Sequence, residues 1–401
     1  MNFKALKNVF LRECKRIFTS SDLLLICFIA PICYGLTFSL VYINKRPTNI
    51  NIGIVNMDNS AMSRQLVRDI AAAPELKVNK TYTSPYEAYM GIFHNDLGAF
   101  YFIPKTFSAD LKKGKSASAF NAANSSTFII SSTVLKKLAQ ITADFSKKQF
   151  TKVLTDKGYS YKAAKAAYEP LRADTRYLFN TEMNYSDFLL PCLLLAVLQQ
   201  IILVAVCTTM SSEKNKGTYK DLLKTANGSF TVIFFGKALP YILLGFLFCI
   251  INTYIFLPAS GIYARSFLSL SLISAAFITA VVFFAILISF LFRSPEMSLA
   301  ALMFYALPTV LLSGFAWPHH ALPWILKAVS FLFPSTYAFN GIRLCILGNI
   351  PVKHVFLPSA AMLIFAGLCF FFSYIIEYKF YTPARNANNG KTKILKKTFY
   401  D

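Results

Sequence analysis

Residues 188–210 read FLLPCLLLAVLQQIILVAVCTTM, twenty-three positions without an Asp, Glu, Lys or Arg. A helix rises about 1.5 Å per residue, so roughly 20 apolar residues cross the hydrocarbon core of a bilayer. A buried helix of a soluble protein needs only about 10–14. The stretch therefore reads as membrane-spanning. Five others of the same kind stand at 23–43, 230–257, 267–292, 297–316 and 355–376, and the only charge in any of them is Lys237. The segment 321–347 is also apolar but holds Pro323, Lys327, Pro334 and Arg343. It is expected to form two half-helices that dip in from the outer face. Irregular backbone at membrane depth needs protein or water around it.

Composition agrees. Of 401 residues 55% are hydrophobic and 15% charged, where a soluble domain carries about 25% charged. An all-soluble enzyme and an acid-rich disordered chain are excluded. Forty-one Lys and Arg against 19 Asp and Glu give a net charge of +22. Position separates the two readings of that excess, a nucleic-acid surface or the flanks of membrane spans. With the N-terminus inside, the short inside segments 1–22, 211–229, 293–296 and 377–401 hold sixteen Lys and Arg. The short outside segments hold four: Arg265, Lys327, Arg343 and Lys353. The positive-inside rule thus predicts both termini in the cytoplasm and leaves no role for nucleic acid. The long segment 44–186 carries twenty basic and eleven acidic residues but does not vote.

The first span follows a basic leader of Lys4, Lys7, Arg12, Lys15 and Arg16. It is longer than the roughly 7–15 residues of a signal-peptide core, so an uncleaved anchor is expected. Within the leader, Phe3, Leu6, Val9, Phe10, Ile17 and Phe18 recur at roughly helical spacing. That predicts an amphipathic helix over 1–21, its basic face toward anionic lipid.

Between the first two spans, 49–55 alternates like a strand, with further strands expected at 76–82, 97–103 and, more weakly, 116–122. Asp58, Asn59 and Ser60 offer caps for a helix over 62–73. Ser84-Pro85-Tyr86-Glu87 is a capping box. Helices over 127–154 and 161–179 would return to the membrane. None of the eight cysteines lies in this segment, so it can hold no disulfide. It shows no catalytic constellation, and His94 reads as a surface residue.

The layout is therefore an all-α membrane chain with six transmembrane helices and one inserted α+β domain outside the cytoplasm. The expected pieces are an interfacial helix at 1–21, a first span at 22–43, and the domain with a helical stalk at 44–186. Five more spans lie within 187–376, with a loop at 211–229 and a re-entrant outer segment at 317–354, and a basic tail fills 377–401. The spans lack the ionisable groups of a gradient-driven carrier. Gln199 and Gln200 read as bridges between helices, and the adjacent His319 and His320 as interfacial residues rather than a metal site. No phosphate-cradling Gly-x-x-x-x-Gly-Lys-Ser/Thr loop is present, since Gly236-Lys237 runs on into Ala238. An ATPase would have to be another polypeptide.

The loop after the second span reads Ser211-Ser212-Glu213-Lys214-Asn215-Lys216-Gly217-Thr218-Tyr219-Lys220-Asp221-Leu222-Leu223-Lys224-Thr225, followed by Gly236-Lys237-Ala238-Leu239-Pro240. This resembles the permeases of type 2 ABC exporters, of the drug-efflux kind with a large extracytoplasmic domain. Those show a Glu-rich turn, Gly-Thr, an acidic-Leu-Leu-x-Thr stretch, and Gly-Lys-x-x-Pro entering the third span. Val55-Asn56-Met57-Asp58-Asn59-Ser60 resembles the opening of the family's exported domain. Leu312-Ser313-Gly314-Phe315, Pro318, Pro323-Trp324, Phe333-Pro334 and Arg343 resemble its segment before the last span. Ser212 and Asn215 stand where a basic residue and a second Glu are usual, and Ala226 where Pro is usual.

The resemblance implies that Glu213, Lys214, Gly217, Thr218, Asp221, Leu222 and Leu223 couple to a soluble ABC ATPase. A short helix at 218–224 would seat Leu222 and Leu223 in an ATPase groove, with Glu213, Lys214 and Asp221 orienting it by charge. Gly236, Lys237 and Pro240 would open the third span. Ser313, Gly314, Pro318, Pro323 and Pro334 would form an outer gate on the translocation path. The chain would bind no cofactor itself, ATP-Mg sitting on the partner. It would pair with a second permease, another copy of itself or a related chain, in a bacterial inner membrane and export an amphiphilic or hydrophobic compound, with a periplasmic adaptor as a further partner. The alternative is a non-transporting scaffold or sensor that binds through the exported domain.

Overall fold

Asn2 starts the first helix, α1 (Phe3–Thr19), by accepting the Lys4 and Ala5 amides on its side chain. The computed structural model describes residues 2–43, 47–113, 115–168, 178–180, 184–292 and 294–380. They belong to two compact units, Met1–Ile43 with Tyr177–Asp401, and Asn44–Arg176. Ser20 is extended and separates α1 from α2 (Ser21–Val41). Proline has no N–H, and α2 takes a π turn at Leu25–Ile29 just before Pro31.

The second unit contains β1 (Ile50–Asn56), α3 (Ala61–Ala71), β2 (Leu76–Thr81), α4 (Pro85–Phe93), β3 (Ala99–Ile103), α5 (Phe107–Lys112), β4 (Phe120–Ala123), α6 (Phe128–Asp156) and α7 (Tyr161–Tyr168). The sheet order is β2-β1-β3-β4, with β1 parallel to both neighbours and β4 antiparallel to β3. Ile50, Ile52, Ile54, Tyr101 and Ile103 pack on one face with Leu66 and Ile70 of α3 and Val134 and Leu138 of α6. Val55 and Phe100 face Ala88 of α4 on the other. Ser60 caps α3, while Asp58 instead accepts the Ser108 amide and hydroxyl, at 3.2 and 2.7 Å. The expected box at Ser84 forms, with Glu87 accepting from the Thr83 amide. The fourth strand begins at Phe120 rather than at 116, because β3 offers partners only from Phe102 back to Ala99. Of the helix expected at 161–179, Tyr161–Tyr168 is helical, and 169–177 lies outside the described residues.

The first unit resumes with α8 (Tyr185–Asn215), α9 (Tyr219–Thr225), α10 (Phe230–Ala259), α11 (Phe267–Ser289), α12 (Pro295–Leu312), α13 (Trp324–Ser330), α14 (Pro334–Leu347) and α15 (Val352–Phe380). Among the described residues six helices, α2, α8, α10, α11, α12 and α15, are long and apolar enough to cross a membrane. The centre is built on α8 and α11, where Leu198, Ile202, Phe277 and Val281 are buried. By contrast Leu40, Phe304, Leu307 and Leu357 point outward from α2, α12 and α15, faces suited to lipid. The segment after α12 holds two short helices, α13 and α14 of 7 and 14 residues, and no full span. Gln200 bridges as expected, its amide donating to the Leu302 carbonyl at 2.8 Å.

One contact fixes α2 against α10. A second π turn, Asn252–Phe256, precedes Pro258. Ser39 donates to the Phe256 carbonyl at 2.9 Å, and Ser260 donates to the Ser39 carbonyl at 3.0 Å. Gly35 makes the approach feasible, since a Cβ there would stand 2.1 Å from the Phe256 ring. Small residues and hydroxyls of this kind bring helices together where no hydrophobic drive exists.

Candidate functional site

Leu6, Val9, Glu13 and Ile17 recur every three to four residues, so they share one face of α1. That face is buried in the protein. Val9 meets α10 at Gly236, where a Cβ would lie 2.6 Å from the Val9 side chain. One residue on, Lys237 reaches Glu13 Oε2 with its Nζ at 2.7 Å, and the Tyr241 hydroxyl donates to Glu13 Oε1 at 2.9 Å. Glu13 and Lys237 are each only 2% exposed. Burial alone would raise the Glu13 carboxyl. The Lys237 ammonium, helped by Arg16 and Tyr241, reverses this and holds it below its usual range. The Gly-Lys pair thus has a physical account: glycine admits α1 and lysine clamps it. Pro240 lies buried one turn on.

A second clamp stands beside the first. Glu213, near the end of α8, is 2% exposed. Arg16 Nη1 reaches its Oε1 at 2.6 Å and Arg12 Nη2 its Oε2 at 3.1 Å. Thr218 donates to the same carboxylate, and Arg16 also donates to Ser212. Each arginine takes one oxygen of the carboxylate, and the planar fork of Arg16 spans Glu213 and Ser212 at once. Lys214 turns the other way, donating to the Ser289 carbonyl at 2.8 Å. Its ammonium also lies 4.4 Å from the centre of the Phe290 ring.

These contacts correct three expectations. The basic face of α1 does not simply meet lipid, because Arg12 and Arg16 turn toward Glu213 and leave Lys4, Lys7 and Lys15 exposed. Glu213 faces inward and cannot orient a partner by its charge. Leu222 is 1% exposed against Ala5, Leu6, Val9, Val232 and Ile233, so it anchors α9 to this chain. Leu223 is half-buried on the edge of the same cluster. Lys216, Gly217, Lys220, Asp221 and Lys224 form the exposed surface of the loop, with Thr218 half-buried. The roles of Glu13, Arg12, Arg16 and Tyr241 escaped the sequence reading. An acid on the apolar stripe of α1 and a lone Lys in the spans were the available signal.

The residues expected at the gate only partly converge. A cleft of about 650 Å³ is lined by Phe188, Gly314, Pro318, Lys327, Asn340 and Arg343, among others. Ser313, Pro323 and Pro334 do not line it. Ser313 is buried, donating to the Val310 carbonyl, and Gly314 (φ 78°) turns the chain out of α12. Pro323 precedes α13 and Pro334 opens α14, as fits a residue without an N–H. His319 is held by Ser330, Nε2 to Oγ at 2.8 Å. Among the described residues no group of three His, Cys, Asp or Glu is placed to hold a metal ion.

Comparison with known proteins bears out the resemblance read from the loop. A family model described as ABC-2 family transporter protein matches residues 22–375. The probable multidrug ABC transporter permease YbhS of Escherichia coli strain K12 is 29% identical over 208 residues, 50% of this chain and 55% of that one. Its counterpart in Escherichia coli O157:H7 gives the same values. The chain thus spans about half the length of the curated relatives it matches. With that match and six apolar helices of spanning length, the chain belongs to the ABC-2 family of multi-pass membrane transport permeases.

Proposed function

We propose that this chain is the membrane subunit of an ATP-driven exporter. Two copies pair, separate ATPase subunits carry ATP-Mg, and an amphiphilic or hydrophobic compound leaves the cell. Both termini lie in the cytoplasm, as the placement of Lys and Arg supports. The unit Asn44–Arg176 then lies outside, offered to a periplasmic adaptor. The segment carrying α13 and α14 enters the outer leaflet without crossing.

The observation that carries this reading is the double clamp at Glu213 and Glu13. An ATPase groove would hold the outward side of α9, namely Lys216, Lys220, Asp221 and Lys224. Its closure would push Leu222 against α1. From there Arg16–Glu213 loads α8, and Glu13–Lys237 loads α10. Rigid tilting of packed helices is the expected response. The scarcity of charge in the spans supports an apolar cargo.

Two variants separate docking from transmission. Lys220→Glu with Lys224→Glu should abolish co-purification with the ATPase. Glu213→Ala should keep the complex but lose substrate-stimulated ATP hydrolysis and export. Normal export by Glu213→Ala would sink the assignment.

A further inference from the structure

We infer that the cleft between α8, α13 and α14 binds the anionic headgroup of an amphiphile, a carboxylate or phosphate on a hydrocarbon tail. The inference deepens the export reading and rests on its placing this segment along the exit path.

Two cations on separate helices, Lys327 of α13 and Arg343 of α14, line one cleft, and no Asp or Glu lines it among the described residues. Asp187, next to the lining residue Phe188, is already engaged by Asn184 and Ser186. Like charges in one cleft repel, and a bound anion would relieve that repulsion. Arg343 is held for such a task. It donates to Asn340 Oδ1 at 2.9 Å, and its guanidinium lies 4.8 Å from the centre of the Phe188 ring. Its Nη1 has no hydrogen-bond partner among the described residues. An arginine serving only to anchor a helix among lipid headgroups would reach away from the bundle. Arg343 instead stacks on another helix of the bundle and faces the cleft.

Part of the wall suits a tail: Phe188, Phe315, Ala316 and Pro318 are apolar, beside the polar His319, His320 and Asn340. At about 650 Å³ the cleft falls in the range of small-molecule sites, roughly 300–1,000 Å³. A guanidinium and an ammonium near apolar walls favour an anion over a neutral head, by about tenfold in affinity for one charge-assisted contact.

The chain carries its own reporter. Its two tryptophans, Trp317 and Trp324, bracket the turn that forms one side of the cleft. Energy transfer from them to 11-(dansylamino)undecanoic acid can be titrated on the full-length protein in phosphatidylcholine nanodiscs, beside the methyl ester of the same probe. The acid should bind about tenfold more tightly than the ester. Lys327→Gln with Arg343→Gln should reduce the acid to the ester's affinity and leave the ester unchanged, and Arg343→Lys should keep part of the preference. Equal binding of acid and ester, or an unchanged preference in the double variant, overturns the inference. Competition by added phosphatidylglycerol would identify a lipid headgroup as the occupant, and its absence a non-lipid amphiphile; both agree with an anion site. No ATPase enters this assay. A failed coupling test at Glu213 would therefore leave it intact, and a failed titration would leave coupling intact.

Discussion

Glu13 and Lys237 meet at 2.7 Å out of contact with solvent, so each depends on the other. Removing one partner of such a pair leaves a buried charge and costs about 3–5 kcal/mol. Glu13→Gln should lower the melting temperature of the purified protein sharply. Glu13→Met with Lys237→Met should restore most of it, since apolar residues of similar volume replace buried pairs well. The pH response has a definite sign. The Glu13 carboxyl lies below its ordinary value of 4.5, so its contribution is complete above that value and fades as pH falls through the folded one. Thermal melts should show an acid-side loss of stability that is smaller in the Met–Met variant. At this scale the sequence was legible in part. Gly236 and Lys237 were singled out as a motif, but a motif does not name its partner. Glu13 lies 224 positions away, and no local pattern links the two.

Whole helices were easier to read than their faces. Spans announce themselves by apolar length, and all six expected ones correspond to helices. The faces of α9 were not legible. Adjacent leucines on a helix point about 100° apart, and here Leu222 sits at the centre of the buried face with Leu223 at its edge. The packing of α1 takes Leu222 inward, whereas the residue pattern of α1 on its own points that helix to lipid. The junction of α2 with α10 gives a test at the level of elements. Gly35→Ala would drive a methyl into the Phe256 ring, itself buried and unable to yield. The variant should melt lower or express poorly, and Gly35→Ala with Phe256→Leu should recover part of the loss. In the inserted unit β1 is legible from its alternation and β3 from its apolar run. The edge strand β4 is legible in place but not in its start, which its pairing with β3 sets at Phe120.

For the molecule as a whole, the proposed orientation makes a prediction that ignores function. Cysteines placed at exposed Lys105 and Lys220, in a background with Cys33→Ser, should label differently with a membrane-impermeant maleimide. Lys105→Cys should react on intact spheroplasts, and Lys220→Cys only after permeabilisation. The reverse pattern would invert the topology and remove the coupling scheme. The clamps on α1 also bear on how the chain is made. Glu213 and Lys237 are synthesised 197 and 224 residues after the groups they hold, Arg16 and Glu13. At about 5–20 residues per second, the first helix leaves the ribosome ~10–45 s before its partners exist. Through that interval Arg12, Glu13 and Arg16 stand without the groups that seat them. A ribosome that stalls before the third span leaves Arg12 and Arg16 with Glu213 but Glu13 without Lys237. The first helix is thus fully seated only when the third span has been made.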